Sequence, residues 1–80
     1  MAKVVFPDHL QKYTEGVREV DIPCKNFRNL VKELNGKWPG IDSVLEQTAV
    51  AIDGQIFQDA WLEEIQPESE VFFMQRIEGG

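Results

Sequence analysis

The chain has 80 residues, 42% of them apolar, and a net charge of −6, which is enough for one small core and leaves no spare length for a second domain. Five lysines and three arginines lie scattered along it, an arrangement that argues against nucleic acid, because phosphate binding relies on clustered cations. The single cysteine, Cys24, excludes an internal disulfide, a cysteine-ligated iron–sulfur cluster and a Cys-rich zinc site. No run approaches the ~20 apolar residues of a spanning helix, and Met1-Ala2-Lys3-Val4 lacks the apolar stretch of a secretion signal. A soluble, cytoplasmic protein with no membrane partner is expected.

Ala2-Lys3-Val4-Val5-Phe6 is rich in β-formers and stops at Pro7, which predicts a strand with Ala2, Val4 and Phe6 inward. A polar stretch runs through Gly16. Residues 17 to 22 then alternate in Val20 and Ile22 and end before Pro23, predicting a second strand in an antiparallel hairpin with the first. Between Asn26 and Gly36 the period changes. Phe27, Leu30, Val31 and Leu34 recur at i, i+3, i+4, i+7, the stripe of an amphipathic helix, with Asn26 as N-cap and Asn35-Gly36 as a left-handed stop. Trp38 covers the end of the core or anchors a partner.

Pro39-Gly40 turns the chain into a brief helical turn over residues 41 to 46. Residues 48 to 53 predict a third strand with Val50 and Ile52 on one face, and Asp53-Gly54 supplies a tight turn into the short strand Gln55-Ile56-Phe57. Residues 60 to 65 suggest a single helical turn closed by Pro67, with Trp61, Leu62 and Ile65 sealing the core's edge, and residues 71 to 77 form the last strand. The predicted class is α+β: a mixed four- to five-stranded sheet with one main helix packed on one face.

If Val71 and Phe73 point at the helix, alternation sends Phe72 and Met74 to the opposite side, with Val5 and Ala51 as neighbours. That face is either a docking patch for a partner or is covered by the chain's own loops. The acids Asp59, Glu63, Glu64, Glu68, Glu70 and Glu78 form either a solvated face or a field for a basic partner. No catalytic constellation is visible. His9 reads as a surface residue, Cys24 as a small half-buried one whose place before the helix could also lower its thiol pKa, and Glu63-Glu64 lacks the companion ligands that would specify a metal.

The sequence finishes in Ile77-Glu78-Gly79-Gly80. Two residues without Cβ can lie flat in a narrow channel and present a carboxylate to another protein's active site. Extended residues 75 to 80 reach roughly 20 Å, enough to enter a partner's pocket while the domain docks outside.

The element order, together with Trp38-Pro39-Gly40-Ile41, the hairpin over residues 50 to 55, and Glu68-Ser69-Glu70-Val71 leading to Gly79-Gly80, resembles the sulfur carriers of the MoaD/ThiS family, which have the ubiquitin-like β-grasp fold. The end of the chain also resembles ubiquitin, with Ile65-Gln66-Pro67-Glu68-Ser69 and Arg76 in its register. Where molybdopterin-type carriers commonly have a proline-containing stretch, this chain has Gln75-Arg76-Ile77-Glu78.

The resemblance implies a β-grasp domain over residues 1–76 and a flexible tail over 77–80. It implies a protein co-substrate rather than an enzyme, with no tightly bound cofactor. Its partners would be a ubiquitin-activating-type enzyme that uses ATP, a sulfur donor and an acceptor synthase subunit. Gly80 would carry the adenylate and then sulfur as a thiocarboxylate, for molybdopterin or thiazole biosynthesis, while Gly79 gives a slim approach. Arg76 would pair with an acid on the activating enzyme, unless it is simply solvated. A covalent protein modifier and a non-covalent β-grasp interaction domain are the alternatives.

Overall fold

A computed structural model describes residues 1–76. The elements in chain order are β1 (Ala2–Val5), a 3₁₀ helix (Asp8–Tyr13), β2 (Glu19–Ile22), α1 (Phe27–Lys37), α2 (Ile41–Leu45), β3 (Thr48–Ile52), β4 (Gln55–Phe57) and β5 (Glu70–Gln75). The five strands form one mixed sheet in the order β2-β1-β5-β3-β4. β1 and β5 run parallel at its centre, with Val4 opposite Val71, and the other pairings are antiparallel.

The core lies between the sheet and α1. Phe27, Leu30, Val31 and Leu34 are all buried, so the helical stripe read from the sequence is the one that packs. They meet Ala2, Val4 and Phe6 from the first strand region, Val50 and Ile52 from β3, and Val71 and Phe73 from β5. Phe73 is the aromatic centre of this layer: its ring stacks on Phe6 at 5.8 Å and tilts against Phe27 at 6.0 Å. Trp38 meets the edge of Phe6 at 5.7 Å, closing one end of the core as expected.

Asn26 caps α1 by accepting the Asn29 backbone N–H at 2.7 Å, and the Asn29 side chain accepts the Lys25 N–H at 3.2 Å. The other end departs from expectation. Asn35-Gly36 does not stop the helix, which continues to Lys37. The stop comes from Pro39, which forces Trp38 out of the helical region. The Asn35 side chain instead accepts the Gly40 N–H at 2.8 Å, and Gly40 takes the left-handed φ of 94° that starts α2.

Two further segments differ. The polar stretch after β1 contains the 3₁₀ helix, whose Leu10 is buried, and Thr14 beyond it is fully buried with its hydroxyl donating to the Val17 carbonyl at 2.8 Å. β1 and β2 pair antiparallel as expected, joined through this 3₁₀ segment, and β2 begins at Glu19 rather than at residue 17.

Residues 60–65 form a turn and no helix. Their backbone is committed elsewhere: the Glu63 carbonyl accepts the Phe27 N–H at 2.9 Å, and the Ile65 N–H donates to the Lys25 carbonyl at 3.0 Å. One orphan donor of α1 is thereby satisfied. Ala60 and Ile65 are buried, whereas Trp61 and Leu62 are 46% and 86% exposed and do not seal the core's edge.

Candidate functional site

The site begins with the alternation of β5. Val71 and Phe73 are buried on the helix side, whereas Phe72 is 40% exposed and Met74 is half-buried. Strand register then fixes their neighbours. Phe72 lies opposite Val5 on β1 and Ala51 on β3, and Met74 lies opposite Ala49. Ala51 in turn pairs with Ile56 on the edge strand β4, and Val5 pairs with Glu19 on β2.

The result is a row across the sheet, Val5-Phe72-Ala51-Ile56, on the face away from α1. Ile56, 60% exposed, is the member that the sequence reading missed. Its signal was available. In the Asp53-Gly54 turn both residues have positive φ, 50° and 85°, and a two-residue turn forces Ala51 opposite Ile56.

Charge borders this row on one side. Lys3 lies opposite Asp21 on β2 and Glu70 on β5, and its ammonium forms a 3.2 Å salt bridge with Glu19. The hydrogen bond and charge of Glu19, with smaller contributions from Glu70 and Asp21, hold the Lys3 pKa above its ordinary value. Three carboxylates around one lysine make this rim net acidic. An apolar strip with an acidic border suits a partner surface that is apolar at its centre and basic at its margin.

The turn beside the strip is locked. The Ser69 hydroxyl donates to one oxygen of Asp53 at 2.7 Å, and the Glu70 backbone N–H donates to the other at 2.9 Å. Those two bonds push the Asp53 pKa below its ordinary value. Ser69 is itself buried and accepts the Gln66 N–H at 2.9 Å. This clamp joins the β3–β4 turn to the start of β5 and so fixes Phe72 against Ala51.

Just past the other end of β5, Arg76 is exposed, and among the described residues its side chain bonds to backbone. Its guanidinium donates to the backbone carbonyls of Glu46 and Gln58, both at 3.0 Å. These carbonyls belong to the end of α2 and the exit of β4, so the arginine ties the exit of β5 to both. Gly79 and Gly80 lie outside the described residues.

Cys24 is half-buried; burial, followed by the charge of Glu33, pushes its thiol pKa up rather than down. His9 sits exposed on the 3₁₀ helix. Among the described residues no His, Cys, Asp or Glu side chains gather in a metal-binding group, and no helix is long and apolar enough to cross a membrane.

No protein family matches the chain by sequence, and no curated protein does either. Solved structures do match in three dimensions. CysO in the BexX/CysO complex of Amycolatopsis orientalis superposes with a TM-score of 0.86 at 15% identity, over 100% of both chains. The fold is the ubiquitin-like β-grasp. Mycobacterium tuberculosis CysO, described as an antigen, gives 0.85 at 15% identity over 96% of this chain and 100% of its own. The small archaeal modifier protein 1 of Methanosarcina acetivorans gives 0.80 at 15% identity, over 99% and 95%. At these identities the likeness speaks for the fold.

Proposed function

We propose that this β-grasp protein is a sulfur carrier that works as a co-substrate, with the carboxylate of Gly80 as its reacting group. The observation that carries the reading is the path of β5. A central strand of the sheet, fixed at its start by Asp53 and just past its end by Arg76, is the last described element before Gly79-Gly80 in the sequence. The domain can dock by its free sheet face while the slim end enters a catalytic channel.

The chemistry follows from the weakness of a carboxylate as an electrophile. A ubiquitin-activating-type partner binds ATP, a carboxylate oxygen attacks the α-phosphorus, and pyrophosphate leaves. The acyl adenylate has a good leaving group. Hydrosulfide from the sulfur donor then attacks the acyl carbon, the acyl–phosphate bond breaks with AMP leaving, and the product after loss of a proton is a thiocarboxylate, whose sulfur a synthase subunit transfers to a biosynthetic acceptor of molybdopterin or thiazole type. Glu78 brings a negative charge close to the ATP phosphates, so the activating enzyme must supply a cation there. Val5, Ala51, Phe72, Met74 and Ile56 form the docking strip.

A second reading is favoured by the fold match to a small archaeal modifier protein: the activated Gly80 passes to a lysine amine and forms an isopeptide bond. Intact mass after incubation with ATP, a sulfide source and the host's activating enzyme separates the two. Exchange of one oxygen for sulfur supports the carrier, and conjugation to other proteins supports the modifier. If removal of Gly79-Gly80 leaves ATP–pyrophosphate exchange unchanged, both readings fail and a non-covalent interaction domain remains.

A further inference from the structure

A cleft of about 1200 Å³ opens on the helix side of the molecule, away from the docking strip, between α1, the end of α2, the start of β3 and the loop after β4. Phe27, Val31, Leu45, Val50 and Ala60 give it an apolar floor. The ring of Trp61, 46% exposed, adds to that surface. Its loop is pinned, because the Trp61 N–H donates to the Asp59 carboxylate at 3.2 Å and the Glu63 carbonyl accepts the Phe27 N–H at 2.9 Å. An exposed tryptophan on a fixed loop loses little freedom when it is covered, which favours binding.

The charges along the cleft are sorted by element. Lys25, Arg28 and Lys32 come from α1 and its approach, whereas Asp42 and Glu46 come from α2 and its C-cap. Arg28 and Lys32 on one helix, and Asp42 and Glu46 on the other, are each spaced by about 6 Å, close to one helical turn. Among the described residues no carboxylate pairs with Lys25, Arg28 or Lys32; the salt bridge there joins Lys3 to Glu19. Asp59 and Arg76 also line the cleft, but Asp59 is engaged with the Trp61 N–H and Arg76 with the carbonyls of Glu46 and Gln58.

We propose that this cleft is a second docking surface whose occupant is an amphipathic helix of a partner protein. Its apolar stripe covers the floor, acids along one edge meet Arg28 and Lys32, and bases along the other edge meet Asp42 and Glu46. A helix suits the cleft better than an extended segment. A strand needs backbone partners at an open sheet edge, whereas the walls here are helices, whose backbone groups bond within themselves. The size agrees: a helix about 10 Å across takes about 120 Å³ per residue, so the cleft holds roughly ten residues of helix, or nearly three turns. Complementary charge on both rims sets the direction and register of the bound helix. The strip lies on the opposite face of the sheet, so a protein bound in the cleft leaves it free.

The test uses the full-length protein and needs no activating enzyme, so it succeeds or fails independently of the sulfur-carrier reading. The probe is a synthetic helix of about 14 residues with leucines at i, i+3, i+4 and i+7, glutamates along one edge of that stripe and lysines along the other. In ¹⁵N NMR titrations it should shift the amides of Arg28, Lys32, Glu46 and Trp61 and leave those of Ile56 and Phe72 in place. The double variant Arg28→Glu/Lys32→Glu should bind this probe several-fold more weakly and should prefer a probe with lysines on both edges; wild type should show the opposite order. Both changed residues are exposed, and unchanged signals from Val4 and Val71 would report an intact core. Trp61→Ala should weaken binding of the first probe to wild type several-fold. The inference is overturned if no saturable shifts appear, if they fall on Ile56 and Phe72, or if charge reversal leaves the order of the two probes unchanged. It is equally overturned if the probe binds only after residues 77–80 are removed, or if the same amides shift with protein concentration alone, which would give the cleft to the chain's own end or to a second copy.

Discussion

Truncating Phe73 and Phe72 in turn tests the register on which the docking strip depends. Phe73 is 3% exposed and packs on both Phe6 and Phe27, so Phe73→Ala removes a buried ring and leaves a cavity. That change costs about 3–5 kcal/mol in comparable cores. A domain of 80 residues has only about 4–12 kcal/mol in total, so most of its stability is at risk. Phe72 is 40% exposed, and full burial of such a side chain is worth about 1.5–3 kcal/mol. Partial burial then puts Phe72→Ala near about 1 kcal/mol, with the extended-chain reference making even this an upper figure.

For a domain of this size each kcal/mol moves Tm by about 4–8 °C. Phe72→Ala should therefore melt within about 8 °C of wild type, while Phe73→Ala should lose about 12 °C or more, or fail to fold, on the same scale. Denaturant midpoints read by circular dichroism check both. Equal losses from the two substitutions would show that the strand has no free face, and the strip would have to be abandoned.

Leu30→Ala and Val50→Ala should each lower stability by about 1–4 kcal/mol, since both are buried core residues; midpoints equal to wild type would refute the packing of α1 on β3. Phe72→Ser/Met74→Ser should weaken the complex with the activating enzyme by about 2 kcal/mol or more, measured by calorimetric titration; unchanged affinity would place docking elsewhere. Asp53 predicts a pH effect. Its folded pKa is lowered by Ser69 and the Glu70 amide, so its contribution is present above the unfolded value near ~3.9 and disappears as pH falls through the lower folded value. The stability difference between wild type and Asp53→Asn should hold steady above about pH 5 and shrink below about pH 4. A difference that stays constant down to about pH 2 would show that the carboxylate contributes nothing specific.

Much of the fold was legible because it rests on short-range pattern. The stripe from Phe27 to Leu34 names its own buried face at the helical period. Asp53-Gly54 announces the β3–β4 turn, and alternation in β5 separates Phe73 from Phe72. What failed depends on partners distant in sequence. Residues 60–65 have apolar content suited to a helical turn, but their carbonyl and N–H groups serve the start of α1, and nothing local records that commitment. Asn35-Gly36 looks like a helix stop until Pro39 and the Gly40 amide are counted. Leu10 and Thr14 sit in a polar stretch whose composition hides a 3₁₀ helix with one buried face.

Arg76 makes contacts that its place in the sequence conceals. Near the end of a chain, an arginine reads as a solvated charge or as a hook for a partner's acid. Its two hydrogen bonds, to Glu46 and Gln58, span 30 and 18 residues of sequence, so neither acceptor could be inferred from its neighbours. Backbone carbonyls also impose a different logic from a carboxylate. They hold the guanidinium by geometry without neutralising it, and Arg76 remains exposed, so its charge stays available to an acid on an approaching partner. One residue can then fix the exit of β5 in the free domain and still contribute to recognition. Arg76→Lys separates these roles, because an ammonium keeps the charge, whereas both bonds come from one terminal nitrogen of the guanidinium, whose planar, fixed N–H directions and longer reach the lysine does not reproduce. The expected result is loss of the fixed exit, seen as altered amide shifts at Glu46 and Gln58, with the salt dependence of partner binding preserved. If the lysine variant leaves those shifts untouched, the two carbonyl contacts do not hold the exit of the strand.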